Sequence, residues 1–485
     1  MSALGFVSGL RSRLENNPGG LRWVVLAVAF ALLIACSVFL LGFGSKTRMA
    51  LAAGIAVTPV LAYVAFKRPL VFPFAAYVAL IPFDNLLQIP KYGTLTKLMA
   101  ILSGLAFVFY LVRTKKIIKP GAQVAFWFAV TLWAAATLAW TIDLDASLPL
   151  FATLVQLFLL YTITVCMPVT KEDLAVVLGA AVVGSAAASV YAWHLFSHGI
   201  DVSKGARLYI STDTNTLDPN QFALSLMLPI AVVTIGFLST RRLRTKLIYL
   251  AFMAVFGAGI VTTGSRGSML AIVAMFLFFF WKSRFRKQLL PLMIAGSLGS
   301  LALIPMILAR WSLASSTGGA GRMSIWHVAM GAMKQYWLAG AGVGGFPEAY
   351  DRFYLSVFQE YNARWHRGSH SLIVGTAVEL GVIGLALMLF AWLKQYRVLS
   401  AFTRRNANSD VAVCLQATMV ALFVGALFLD IMYQKYTWFV FIAVALARNL
   451  LSQSAASQTP LVPMQRHPIL VQQIPRVVPV PISAK

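Results

Sequence analysis

Long apolar runs alternate along this chain with short, sharply polar interruptions. Runs of about 20 apolar residues, the length that crosses a hydrocarbon core as a helix, recur from Trp23 to Leu446. They lack the two-residue alternation of a barrel strand. Backbone in lipid must satisfy its own hydrogen bonds, so helices are the predicted elements. The runs fall at 23–43, 49–66, 69–83, 98–112, 122–140, 148–167, 174–196, 221–239, 247–263, 268–281, 288–308, 371–393, 411–429 and 434–448. The third and the last are the weakest, and twelve crossings with two re-entrant or interfacial pieces fit nearly as well. The predicted fold is an all-α polytopic membrane protein of about 12–14 transmembrane helices.

Two segments between runs are long, about 197–220 and about 309–370, and long loops in compact proteins are usually functional. The expected organisation is an N-terminal segment over 1–22, a first part of the bundle over 23–308 and a large loop over 309–370. The last part of the bundle covers 371–449, and a Pro-rich tail covers 450–485. The N-terminal run, without a small-residue cleavage site, is read as a retained helix. The tail has the composition of a disordered segment.

Composition sharpens this picture. Hydrophobic residues make up 59% and charged residues 11%, less than half the charged share of soluble domains. The net charge of +25 is read as loop topology and attraction to anionic lipid headgroups, not nucleic-acid binding. Setting the N-terminus in the cytoplasm places 26 of the 40 Lys and Arg on that side, most of those 26 in short loops. The tail then lies on that side too. Cys36, Cys166 and Cys414 sit far apart inside apolar runs and read as small core hydrophobes.

The opposite face holds the candidate chemistry. Against the charge trend, Lys204, Arg207, Arg266, Arg310, Arg322, Lys334, Arg352, Arg364 and Arg367 gather there, with His194, His198, His327, His366 and His370. A basic outer pocket suits an anionic ligand. Thr263-Gly264-Ser265-Arg266-Gly267-Ser268 makes a tight turn between two helices, with Ser268 expected to cap the second and Arg266 offering a planar fork for phosphate. From Arg322 to Trp337, Ile325, Ala329, Ala332, Met333 and Tyr336 recur at helical spacing, predicting an amphipathic helix that lies on the outer surface with Gly321-Arg322 at its start. The glycine-dense stretch Gly340–Phe346 is either a phosphate-binding loop or a flexible turn.

Arg364–His370 precedes the next helix, where His370 stands at the mouth as a candidate general base, with His366 and His327 as competitors. Glu379 lies nine residues later, about 180° round and about 13.5 Å along a continuous helix, so it is expected to orient the pocket rather than partner His370. Leu217-Asp218-Pro219-Asn220-Gln221 reads first as a helix opener, with Asn220 or Gln221 within reach of a sugar or phosphate. Neither metal nor other cofactor is expected.

Together these pieces resemble the O-antigen ligase and O-antigen polymerase superfamily of bacterial inner-membrane enzymes, over roughly 207–392. The matching motifs are Asp218-Pro219-Asn220 with Pro229, Ser265-Arg266-Gly267, Gly321-Arg322 to Phe346, and His370 with Glu379, Gly381 and Gly384. The family's Asn after the histidine is Ser371 here. The resemblance implies a metal-independent glycosyl transfer of the GT-C type in the inner membrane, with the 309–370 loop in the periplasm and both termini in the cytoplasm. The donor would be an undecaprenyl-diphosphate-linked glycan and the acceptor lipid A–core or a second lipid-linked glycan. By the same resemblance His370, Arg266 and Arg322 are catalytic, and Arg207, Asn220, Ser265, Gly321, Arg367 and Glu379 contact substrate. An O-antigen ligase is favoured, with an exopolysaccharide polymerase second and a lipid-linked oligosaccharide flippase or anion transporter third. Charge concentrated in loops rather than at midplane argues against transport.

Overall fold

A computed structural model describes residues 46–84, 86–89, 93–198, 208, 218–301, 321–358, 367–405 and 409–458. The first predicted helix, Arg207, Arg310, Arg364, His366 and the tail beyond 458 lie outside them. The described chain is helical apart from one two-stranded hairpin, Gln88–Ile89 with Gly93–Thr94. Its helices are α1 (Lys46–Lys67), α2 (Leu70–Phe83), α3 (Leu95–Thr114), α4 (Ala122–Thr137), α5 (Leu144–Val165) and α6 (Lys171–Ser197). These are followed by α7 (Pro219–Ser239, with a joint at Leu226), α8 (Leu243–Thr263), α9 (Arg266–Lys282) and α10 (Arg286–Leu301). The last are α11 (Arg322–Tyr336), α12 (Phe346–Val357), α13 (Leu372–Arg397), α14 (Ser400–Arg405), α15 (Asp410–Ala426) and α16 (Lys435–Gln458).

Among the described residues six helices are long and apolar enough to cross a membrane, or seven if α1 and α2, bent by 113°, count as one span. This is a multi-pass all-α membrane protein. Starts and stops follow local chemistry: Thr170 and Asp173 close a capping box on α6, Asp143 caps α5, and Lys115 ends α3 in the left-handed region.

The span that looked weakest in sequence turns out to be central. Residues 436–447 of α16 are buried on every side. Trp438 and Phe441 stack with Trp127 of α4, at centroid separations of 5.2 and 4.9 Å, and Phe441 meets Trp392 of α13 edge-on at 5.2 Å. A helix apolar all round belongs in the core. Its modest hydropathy reflects the polar residues of its C-terminal half, not exposure to lipid.

Ion pairs between distant segments join residues assigned to the same face. Arg68 pairs with Asp173 at 2.6 Å and Arg284 with Asp410 at 2.7 Å, all on the basic side. On the opposite side Lys435 pairs with Asp84. The charged loops therefore sort onto two surfaces as the hydropathy pattern required.

Candidate functional site

The outer ends of α7, α9, α11 and α13 converge, and each is shaped by its own sequence. Asp218 caps α7, accepting from the Asn220 amide at 2.7 Å and from Asn220 Nδ2 at 2.8 Å, with Pro219 in the first helical position. Gly264, at φ +59°, closes α8, and the left-handed backbone it supplies makes the next helix begin at once. The cap of α9 is Ser265, not Ser268: the Ser268 amide donates to Ser265 Oγ at 3.4 Å. Ser268 lies too far inside the helix to cap it. Ser265 and Ser268 are buried, and Ser268 Oγ donates to the Asn220 carbonyl at 3.5 Å, tying the α9 start to the α7 start.

Arg266 and Arg322 occupy the first positions of α9 and α11. The positive end of a helix dipole favours acidic residues, yet neither first turn contains one. Both helices thus present free amides and a guanidinium at one end, the arrangement that holds an anion. Burial, with the Arg266 charge beside it, pushes the Arg322 guanidinium below its ordinary range, while Asp218 partly offsets the shift. It stays cationic all the same, since guanidinium does not deprotonate in proteins. A third guanidinium, Arg367, lies over Gly321, where a Cβ would come within 3.1 Å of its Nη1. Gly321 is also at φ +79°, the left-handed backbone that favours glycine. Arg266, Arg322 and Arg367 form no hydrogen bond or ion pair with another described residue. Arg322 and Asn220 line one narrow cleft with Ser265, Gly267 and Ser268, closed on one side by Phe428 and Leu429.

His370 sits beside this cleft in a left-handed conformation, φ +47°. For a non-glycine residue that backbone costs of order 1 kcal/mol and often marks a functional position. Its neighbours hold it there. Trp326, one turn along α11 from Arg322, donates its indole N–H to the Ser369 carbonyl at 3.0 Å. Ser371 then caps α13, its Oγ accepting from the Val374 amide at 3.4 Å, so a serine serves where the resembling family has asparagine. Burial lowers the imidazole pKa; Arg322 and Arg367 lower it further and Asp218 opposes them. His370 is therefore neutral at neutral pH, with a lone pair available. His327 is exposed on α11.

Glu379 lies deeper. The predicted continuous helix is broken just after it, at Gly381 (φ +66°, ψ −172°). The Glu379 carboxylate accepts from Tyr433 Oη at 3.2 Å and from the Gly344 and Phe346 amides. This overturns both readings of the glycine-dense stretch. The Ala341 amide donates to Val378 O at 2.8 Å, Gly342 to Glu379 O at 2.9 Å and Val343 to Thr137 Oγ1 at 3.1 Å. Gly340 and Gly345 bond to Tyr336 O and Gly342 O. Every amide from 340 to 346 is engaged inside the protein, so the stretch neither cradles phosphate nor swings freely. It is a brace that seats the outer loop on α4 and α13.

Of the sequence-predicted site, Arg322, Asn220, Ser265, Gly321, Arg367 and His370 come together with Arg266; Glu379 stands beneath as a support, and Arg207 lies outside the described residues. The Asn220 side-chain amide is engaged with Asp218. Asp218 was read as a helix opener and a motif residue but given no place in the site, yet its carboxylate is the negative charge felt by both Arg322 and His370. Asp430 and Tyr433, beside Glu379, were also missed, because no local pattern links them to it.

Fold and site define a many-helix membrane protein with a cluster of guanidiniums and a neutral histidine at one face. Residues 250–389 match the family model described as O-antigen ligase, so the chain carries an O-antigen ligase domain there. The match encloses Arg266, Arg322, His370 and Glu379, but not Asp218. No curated protein matches the chain.

Proposed function

We propose that this protein transfers a glycan from undecaprenyl diphosphate to an acceptor hydroxyl at the periplasmic face of the bacterial inner membrane, as an O-antigen ligase does. The observation that carries this reading is the cluster of three guanidiniums without a described partner, two of them at helix N-termini, beside a neutral histidine. In the proposed reaction the acceptor oxygen attacks the anomeric carbon as the bond from that carbon to the diphosphate oxygen breaks. His370 Nδ1 or Nε2 takes the hydroxyl proton. Arg266 and Arg322 bind the diphosphate and stabilise the charge that grows on it as it leaves, with Arg367 adding to the field. A lipid diphosphate is already a fair leaving group, so cations and a positioned hydroxyl meet the chemical need. Guanidiniums supply that positive charge, and no step requires a metal.

The test separates binding from chemistry. With purified protein in lipid and a lipid-diphosphate-linked glycan, Arg266→Ala and Arg322→Ala are expected to raise KM and lower kcat, each by about tenfold or more. His370→Ala is expected to lower kcat by about 100-fold with donor binding retained. Unchanged donor binding in both arginine variants would overturn the reading.

A further inference from the structure

Helix α11 was expected to lie on the outer surface with one apolar face. Of that face, Ile325, Ala329 and Ala332 are instead buried within the protein, with Met333 and Tyr336 packed against the same cluster. A second stripe runs down the opposite side. Met323, His327, Met330, Lys334 and Trp337 follow helical spacing, and all five are exposed, with Met323, Met330 and Trp337 at 63%, 55% and 60%.

The path of α11 gives this stripe a depth. Its start is tied to the mouth of α13 through Trp326 and Ser369. Its end is tied to the break in α13, where the Val382 amide donates to the Trp337 carbonyl at 2.8 Å. The helix therefore descends alongside the first turns of α13. From Val382 to Arg397, at the basic end, is about 22 Å of helix at 1.5 Å per residue, so Trp337 sits about three quarters of the way across a hydrocarbon core of about 30 Å. Val382 is itself 47% exposed, and farther down α13 Phe390 is 54% exposed, on the surface any lipid belt must cover. The stripe is continuous with that surface.

We infer that the outer loop is partly embedded: the foot of the α11 stripe, Trp337 with Lys334, docks into the acyl region of the outer leaflet, Met330 lies at its edge, and the lipid bilayer is the partner. The Lys334 stem, able to snorkel up to the headgroups, suits that position. The arginine cleft at the head of the same helix is then held at headgroup level by a hydrophobic foot. This inference rests on packing and exposure, not on the proposed reaction.

The test places a benzophenone amino acid at Met323, Met330 or Trp337 in the full-length protein in liposomes, with Arg352, exposed and ion-paired to Glu348, as the aqueous control. After illumination, mass spectrometry is expected to find acyl-chain adducts at Trp337, fewer at Met330, fewest at Met323 and none at Arg352. Absence of lipid adducts at all three would overturn the inference, as would cross-links to a second copy of the chain in place of lipid. Brominated-acyl lipids provide a second readout: they should quench native tryptophan fluorescence more than that of Trp337→Phe, and equal quenching would count against the foot.

Discussion

At the scale of single residues, the site depends on charges placed where a helix does not favour them. Arg266 and Arg322 each stand at a positive helix end. With no anion bound, each such charge costs a few tenths of a kcal/mol to about 1 kcal/mol. Neutralising Arg322 to Gln is thus expected to leave thermal stability unchanged or slightly raised while donor binding falls, which a melting curve and a binding isotherm measured side by side would check. Arg322→Lys keeps the charge but loses the planar fork, and activity equal to the native protein would remove the bidentate role. His370 has a pH consequence. Burial and the neighbouring guanidiniums hold its pKa below the ordinary value of about 6.5, so the base form persists into mildly acidic solution. The expected kcat/KM is flat near neutrality and falls only below about pH 6.5. Removing Arg322 takes away one lowering charge, so the inflection in Arg322→Gln should move to higher pH. An inflection that moves down or stays fixed would separate the two residues.

At the scale of elements, the brace at 340–346 decides whether the outer loop holds its place. Gly340 has φ +83°, and a Cβ there would stand 2.2 Å from the Glu379 carbonyl. Gly368 has open space around it. Gly340→Ala is therefore expected to cost at least about 2 kcal/mol, whereas Gly368→Ala, only two residues from His370, should stay within about 0.5 kcal/mol. Equal melting temperatures for the two variants would contradict the brace. Glu379→Ala should fall with Gly340→Ala, because it strands the Gly344 and Phe346 amides and the Tyr433 hydroxyl. Little of this was legible in sequence. Glycine density at 340–346 fits several structures, and the partners that choose among them, Thr137, Val378 and Glu379, come from other helices. By contrast, the motifs that carry Arg266, Arg322 and His370 were readable, because each combines a turn, a helix start and a polar side chain within a few residues.

At the scale of the whole molecule, apolar run length was enough to place the helices, since in lipid a helix is the solution for a continuous run. It was not enough to rank them. The 434–448 run looked weak because it is short and flanked by polar residues, while its burial on every side leaves no trace in hydropathy. The ion pairs join residues that the charge pattern assigns to one surface, and the proposed function sets the surface of Gly368 in the periplasm. A cysteine at Lys116 and one at Gly368, both exposed, should label with an impermeant maleimide from opposite sides of a sealed membrane, the second from the periplasm. Labelling from one side would overturn the topology.

The central claim is that the arginine cluster and His370 transfer a glycan rather than move or merely bind it. The most direct measurement reconstitutes the purified protein in liposomes with an undecaprenyl-diphosphate-linked glycan, offers lipid A–core and a second lipid-linked glycan as acceptors, and follows product with a chelator present. Glycan joined to lipid A–core is the predicted result, and joining to the second lipid-linked unit would assign the same site to a polymerase. No transfer to either acceptor, with the donor instead crossing the bilayer, would contradict the account.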